Sequence, residues 1–206
     1  MLSVNLRGLV MILSDRDILQ ALEEKHYFID PMPSHPKDFD TTSVNLHLGN
    51  EFRIWDHEVV KKGFGGQICI DLASFDFRTL ATNYTKLLPT ASDGSVILEP
   101  KQFILSITQE KVGNTDPSCC LAARVEGKSS LARLGLQVHM TAPIIHAGFF
   151  GNITLEMYNA GPFNIKLQPG VSICQLIVEK VSSAPACSMN GKQFQEQTSP
   201  VGASIG

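Results

Sequence analysis

Three short stretches of this chain carry side chains that could do chemistry. The densest is Gly127-Lys128-Ser129-Ser130-Leu131-Ala132-Arg133-Leu134-Gly135-Leu136. A glycine, a lysine, two hydroxyls and an arginine suit a turn that opens a short helix. The N–H groups at such a turn attract an anion. Lys128 would add a point charge, Ser129 and Ser130 hydroxyl donors, and Arg133 a planar fork. A capped surface helix with ordinary charges has the same spacing, so spacing alone leaves both readings open. The second stretch, Ile145 to Asn159, reads as a β-hairpin with Glu156 between Leu155 and Met157. A carboxylate in so apolar a strand faces either solvent, the commoner place, or a site. In a site, burial would raise its pKa toward that of a general base. The third, Gln168-Pro169-Gly170-Val171-Ser172-Ile173-Cys174-Gln175-Leu176, is a tight turn before an alternating strand. It speaks for β-structure and for no ligand in particular.

The elements that must position these residues are mostly short strands. Ser14-Asp15-Arg16-Asp17 has the form of an N-cap with acidic residues in the first turn, and Ile18, Leu19 and Leu22 share one helix face. This predicts a helix ending near Lys25. Pro31, Pro33 and Pro36 break the next stretch. From Thr42 the period is two: Val44, Leu46 and Leu48 alternate with Ser43, Asn45 and His47, and Phe52–Trp55 reads as the hairpin partner. Further strands are predicted at Ser95–Leu98, Phe103–Thr108, Leu121–Val125, Ile153–Met157, Phe163–Leu167 and Val171–Val178, with glycines between them. Residues 61–94 are the least legible, with a short helix expected at Thr79–Leu88. The segment from Ser182 onward has little to bury and reads as a mobile terminus. The whole pattern is that of a β-sandwich or barrel-like domain.

The 206 residues suffice for one well-buried domain, which we expect to begin at Met11 after an extension over residues 1–10. A net charge of -3 gives no ground for bulk affinity to nucleic acid or an anionic membrane. No apolar run reaches the length of a membrane span, and residues 1–10 lack the form of a signal peptide. The five cysteines are odd in number and include no C-x-x-C pair. That argues against a disulfide framework and a zinc knuckle, and for reduced thiols in a cytoplasmic protein.

Taken in order, these stretches resemble the dCTP deaminase family. The resemblance runs through Met11-Ile12-Leu13-Ser14-Asp15-Arg16-Asp17-Ile18 and Thr42-Ser43-Val44-Asn45-Leu46-His47-Leu48-Gly49-Asn50, and is closest at Gly127 to Leu136. It continues through Thr141-Ala142, Gly148-Phe149, Gly151-Asn152-Ile153-Thr154-Leu155-Glu156, Pro169-Gly170 and Lys192-Gln193-Phe194-Gln195-Glu196-Gln197. It implies a mainly β fold: the distorted β-barrel or jelly-roll of dUTPase-like proteins, with one N-terminal helix and one or two short helices. A single domain over 11–206 would end in an arm at 182–206. It further implies a homotrimer with active sites between subunits, deaminating dCTP to dUTP and ammonia.

Glu156 would then be the base that activates water, held with that water by Ser129 and Arg133. Lys128, Ser130 and Arg133 would face the triphosphate. His139, Thr141 and Ala142 would line the base pocket, and His146 would meet the sugar 3′-hydroxyl. Gln175 would belong to the binding site, and Lys192, Phe194 and Gln197 of the arm would close over the nucleotide. Mg2+ would arrive on the triphosphate, held mainly by its oxygens and water. Inhibition by dTTP is implied too, with the loop at His139–Ile144 as its moving part. Zinc deaminases use an H/C-x-E and a P-C-x-x-C pattern, and neither occurs here, so zinc is not expected.

The family usually has aspartate where this chain has Asn45, arginine at Lys128 and often aspartate at His146. The missing acid at 146 weakens the rival reading of a dUTP diphosphatase, alone or combined with deamination. A third reading is a nucleotide-binding homologue without catalysis. Ser129, Arg133 and Glu156 standing together favour the deaminase.

Overall fold

The structure is a computed structural model and describes residues 11–65, 69–114, 116–189, 192 and 194–202. The expected extension at 1–10 lies outside these, as do Gln193 and residues 203–206 of the expected arm. The chain is mainly β, built on two antiparallel six-stranded sheets and a two-stranded one. In the first sheet the last long strand, Ser172–Lys180, lies between Leu121–Gly127 and Ser43–His47. Ile144–Ile145 and Phe39–Asp40 flank these, and Met11–Ile12 pairs with the end of Ser172–Lys180. In the second sheet Phe150–Asn159 and Phe103–Gly113 form the long central pair. Leu136–Gln137 edges one side, Arg53–Trp55 and Thr85–Leu87 the other. Val96–Leu98 pairs with Ile165–Leu167.

One apolar cluster fills the space between the sheets. Val44, Leu46, Leu176 and Val178 come from the first sheet, Ile104, Val112, Leu155 and Met157 from the second. The helix Asp15–Glu23 starts where its cap predicts: Ser14 Oγ accepts from the Asp17 N–H at 3.3 Å. Ile18 and Ala21 turn into the core and fix its face. No helix of the described residues is long and apolar enough to cross a membrane. The five cysteines are free, and Cys174 is buried, which pushes its thiol pKa up.

Several strand expectations need correction. Arg53–Trp55 is not the hairpin partner of Ser43–His47; it pairs with Thr85–Leu87 and Phe103–Gly113 in the other sheet. The cause is Gly49, where the chain passes between sheets. A Cβ there would lie 2.8 Å from the Ile107 carbonyl oxygen. The stretch 145–159 is likewise no hairpin: Ile144–Ile145 joins the first sheet and Phe150–Asn159 the second, with Gly148 at positive φ between them. Thr79–Leu88 divides into the helix Phe77–Tyr84 and the strand Thr85–Leu87. The helix His57–Gly63, capped by Asp56, was not foreseen.

The tail is also more ordered than its composition suggests. The Glu196 N–H donates to the Phe150 carbonyl at 2.9 Å and the Asn152 N–H to the Gln197 carbonyl at 3.0 Å. The Phe194 ring meets Phe77 edge to face, and Ser199 Oγ donates to Glu51 at 2.8 Å.

Gly113 shows how tightly the sheet switch is drawn. Its φ is +123°, and an added Cβ would overlap the Phe149 carbonyl oxygen, which already accepts from the Asn114 N–H at 2.8 Å. Gly113→Ala is expected to cost about 2–3 kcal/mol, read as a lower urea midpoint with an unchanged m-value. A midpoint equal to the parent's would show that the backbone here yields freely.

Candidate functional site

The turn at 128–133 is built as its sequence suggests. Lys128 is extended (φ -82°, ψ 129°) and caps the helical turn Ser129–Ala132, with the Leu131 and Ala132 N–H groups both donating to its carbonyl. Gly135, at φ +93°, ends the turn against Gly161. Leu131 packs on the core and anchors the turn from beneath, which leaves Ser129, Ser130 and Arg133 exposed. Lys128 does not follow them outward. Its Nζ donates to Asn45 Oδ1 and Ser172 Oγ, each at 2.8 Å.

Glu156 resolves the ambiguity left by its strand. Leu155 and Met157 point into the core at 0 % exposure, so Glu156 faces the other side of the sheet. That side is not open water. The segment after Gln137 folds across it, and the Met140 N–H donates to Glu156 Oε2 at 3.5 Å. Burial raises the carboxyl's pKa above its ordinary value; the Met140 and Glu156 N–H groups and the nearby His139 pull less strongly the other way. His139 Nε2 lies 3.7 Å from Glu126 Oε2, and its Nδ1 is buried with no hydrogen-bond partner among the described residues. A carboxyl whose pKa is raised by burial, near an imidazole with an open nitrogen, can take a proton from water and give one to a leaving group.

The other expected site residues fall into separate groups. His146, Lys192 and Phe194 line a cavity of about 840 Å³ beneath the folded-back tail, together with Arg124, Glu179 and Met189. Arg124 is drawn to Glu179 at 3.2 Å and to Glu126 at 3.7 Å. Glu156, Ser129 and Arg133 are not among the residues that line this cavity. Thr141 and Ala142 are exposed on the loop beyond Met140. Gln175 is half-buried and its Nε2 donates to Ser43 Oγ at 3.1 Å. Gln197 is 5 % exposed; its Nε2 donates to the Asn152 carbonyl at 2.7 Å, and its Oε1 is buried and unpartnered among the described residues.

Within one chain, therefore, the structure sets Glu156 against the segment that carries His139 and Met140 but leaves the Ser129–Arg133 face turned outward. Sequence reading missed Asn45 and Ser172 as partners of Lys128, and Glu126 as the neighbour of His139. Strict alternation puts Asn45 on a solvent face, and no local pattern marks a strand whose two faces are both covered.

The family model described as dCTP deaminase-like matches residues 12–181. A protein of Persephonella marina named "dCTP deaminase, dUMP-forming" is 38% identical over 182 residues, covering 88% of this chain and 91% of that one. One of Haloarcula marismortui named "dCTP deaminase" is 34% identical over 198 residues, 95% of each. Among solved structures, the 2'-deoxycytidine 5'-triphosphate deaminase of Agrobacterium tumefaciens superposes with a TM-score of 0.59 at 18% identity. The match covers 83% of this chain and 48% of that one, and it shows a shared fold.

Proposed function

Given that the chain belongs to the dCTP deaminase-like family, we propose that it hydrolyses dCTP to dUTP and ammonia. The observation that carries this reading is Glu156, a half-buried carboxylate with a raised pKa, facing away from the core beside His139. Glu156 takes a proton from water as the water oxygen bonds to C4 of cytosine. That proton passes to the 4-amino nitrogen, the remaining hydroxyl proton passes to N3, and the C4–N bond breaks, so ammonia leaves and a C4 carbonyl forms. One carboxyl acts as base and then as acid, so the proton count closes.

Ser129 and Arg133 complete the site from a neighbouring subunit of a homotrimer. Their exposure supports this, as do the exposed Leu134, Met140 and Ile144 around both halves, at 48%, 50% and 66%. Ser130 and Arg133 meet the triphosphate, and His139, Thr141 and Ala142 the base. His146 meets the sugar, while Gln175 and the arm residues Lys192, Phe194 and Gln197 complete the enclosure. Among the described residues no group of three or more His, Cys, Asp or Glu side chains forms a metal cage. Mg2+ fits as a companion of the triphosphate, neutralising its charge while held by phosphate oxygens and water. The chemistry assigned to Glu156 needs no zinc. dTTP would compete from the same site, and a cytoplasmic enzyme with reduced thiols is consistent with five free cysteines.

A second reading, in which dUTP is carried on to dUMP, is favoured by the name of the Persephonella relative. The cavity around His146 does hold a carboxylate, Glu179, but Arg124 engages it at 3.2 Å. The two readings separate in one assay. The chain is incubated with dCTP, and ammonia and pyrophosphate are measured in parallel. We expect ammonia with no pyrophosphate; equal amounts of both would establish the second reading, and neither would leave a nucleotide-binding homologue.

A further inference from the structure

Resting on that reading, we infer that Asn45 and Ser172 are positioning residues for the reaction: through Lys128 they set the turn that presents Ser129 and Arg133. The sequence suggests a lysine directed at phosphate. In the fold, two of its three N–H donors are taken by Asn45 Oδ1 and Ser172 Oγ, both at 2.8 Å. Asn45 is itself fixed. It is 9 % exposed, and its amide N–H donates to the Lys37 carbonyl at 3.1 Å, which turns its oxygen toward Lys128. Asn45 and Ser172 sit on Ser43–His47 and Ser172–Lys180, which pair with each other inside the first sheet. Lys128 leads straight into the turn.

The turn's two ends are held by Gly127, paired with Cys174, and by the Ala160 N–H, which donates to the Gly135 carbonyl at 2.8 Å; the clamp adds a directed side-chain attachment at residue 128. Leu131 holds the turn down by apolar contact, which does not fix its rotation. The bonds to the Lys128 carbonyl keep it helical, but they move with it. Two hydrogen bonds from one ammonium to two different strands fix the orientation of residue 128, and with it the direction in which the exposed Ser129 and Arg133 project. Both acceptors are neutral side chains. Deleting an acceptor therefore frees the turn without changing the site's electrostatics. The loss should fall mainly on kcat, which depends on placement to within an ångström, and less on KM, which reads the triphosphate contacts of Ser130 and Arg133.

The test uses Ser172→Ala, Asn45→Ala and Ser172→Thr in the full chain, with steady-state ammonia release from dCTP and amide hydrogen exchange. We expect kcat to fall about tenfold in each alanine variant with KM within about twofold. Amides at 129–134 should exchange about tenfold faster, while those of Phe103–Gly113 stay as in the parent. Ser172→Thr, which keeps the hydroxyl, should restore both quantities. Unchanged exchange at 129–134, or an effect confined to KM, overturns the proposal. If the parent chain releases no ammonia from dCTP, the deaminase reading fails, and the exchange data still decide whether the clamp orients the turn.

Discussion

Glu156→Gln is expected to bind dCTP within a few-fold of the parent's affinity yet release ammonia at least ~10³-fold more slowly. Glutamine keeps the shape and can still accept the Met140 N–H bond, but it cannot take a proton from water. Isothermal binding and an ammonia assay on the same preparation check both halves. Release within tenfold of the parent would remove Glu156 from the role of base. The parent's acidic limb should also sit above a glutamate's ordinary value, because burial favours the protonated form that cannot act. Stability carries the opposite sign. A carboxyl raised by folding contributes stability that is complete below its unfolded pKa and is lost as pH rises through the folded one. The glutamine variant should therefore melt higher than the parent in mildly alkaline buffer, with the gap closing as pH falls through the carboxyl range. An active site that destabilises its own fold is the usual cost of holding a reactive group in place.

Glu110→Ala is expected to cost about 3–5 kcal/mol, the largest loss among single polar side chains here. Glu110 is 2 % exposed on a strand of the second sheet. Its two oxygens accept from the His47 N–H at 2.9 Å and meet the His47 Nδ1 at 2.6 Å, and His47 belongs to the first sheet. Asp38 lies 3.6 Å from the ring's other nitrogen. Alanine would strand a backbone N–H and an imidazole at the seam between sheets. Urea unfolding gives the loss from the midpoint at constant m-value. A loss under ~1 kcal/mol would mean that this carboxylate adds little to what apolar packing and the Gly49 N–H bond to the Ile107 carbonyl already hold.

Much of this was legible from residue order, and the rest failed for identifiable reasons. The first helix announced itself through Ser14, Asp15 and Asp17 because a cap is a local interaction. The turn at Lys128 was legible for the same reason. What Lys128 touches was not, since its acceptors lie 83 and 44 residues away. The false hairpin at Phe52–Trp55 came from pairing two strands that are neighbours in sequence, when Gly49 between them marks a close crossing over Ile107. Glu156 was ambiguous because alternation assigns a face, while the loop carrying His139 and Met140 decides whether that face is wet. The tail misled because composition measures what a segment can bury, and residues 194–199 are held by backbone hydrogen bonds, one ring contact and Glu51.

The order of strands in the first sheet bears on how the chain is made. Ser172–Lys180 fills the gap between Ser43–His47 and Leu121–Gly127, so each older strand has only a two-residue neighbour, Phe39–Asp40 or Ile144–Ile145, until the last one arrives. On the ribosome most of the polypeptide must emerge and wait, its apolar edges unmatched, before this sheet can close. Synthesis that halts short of residue 172 should yield no partial domain but a collapsed, chaperone-dependent chain.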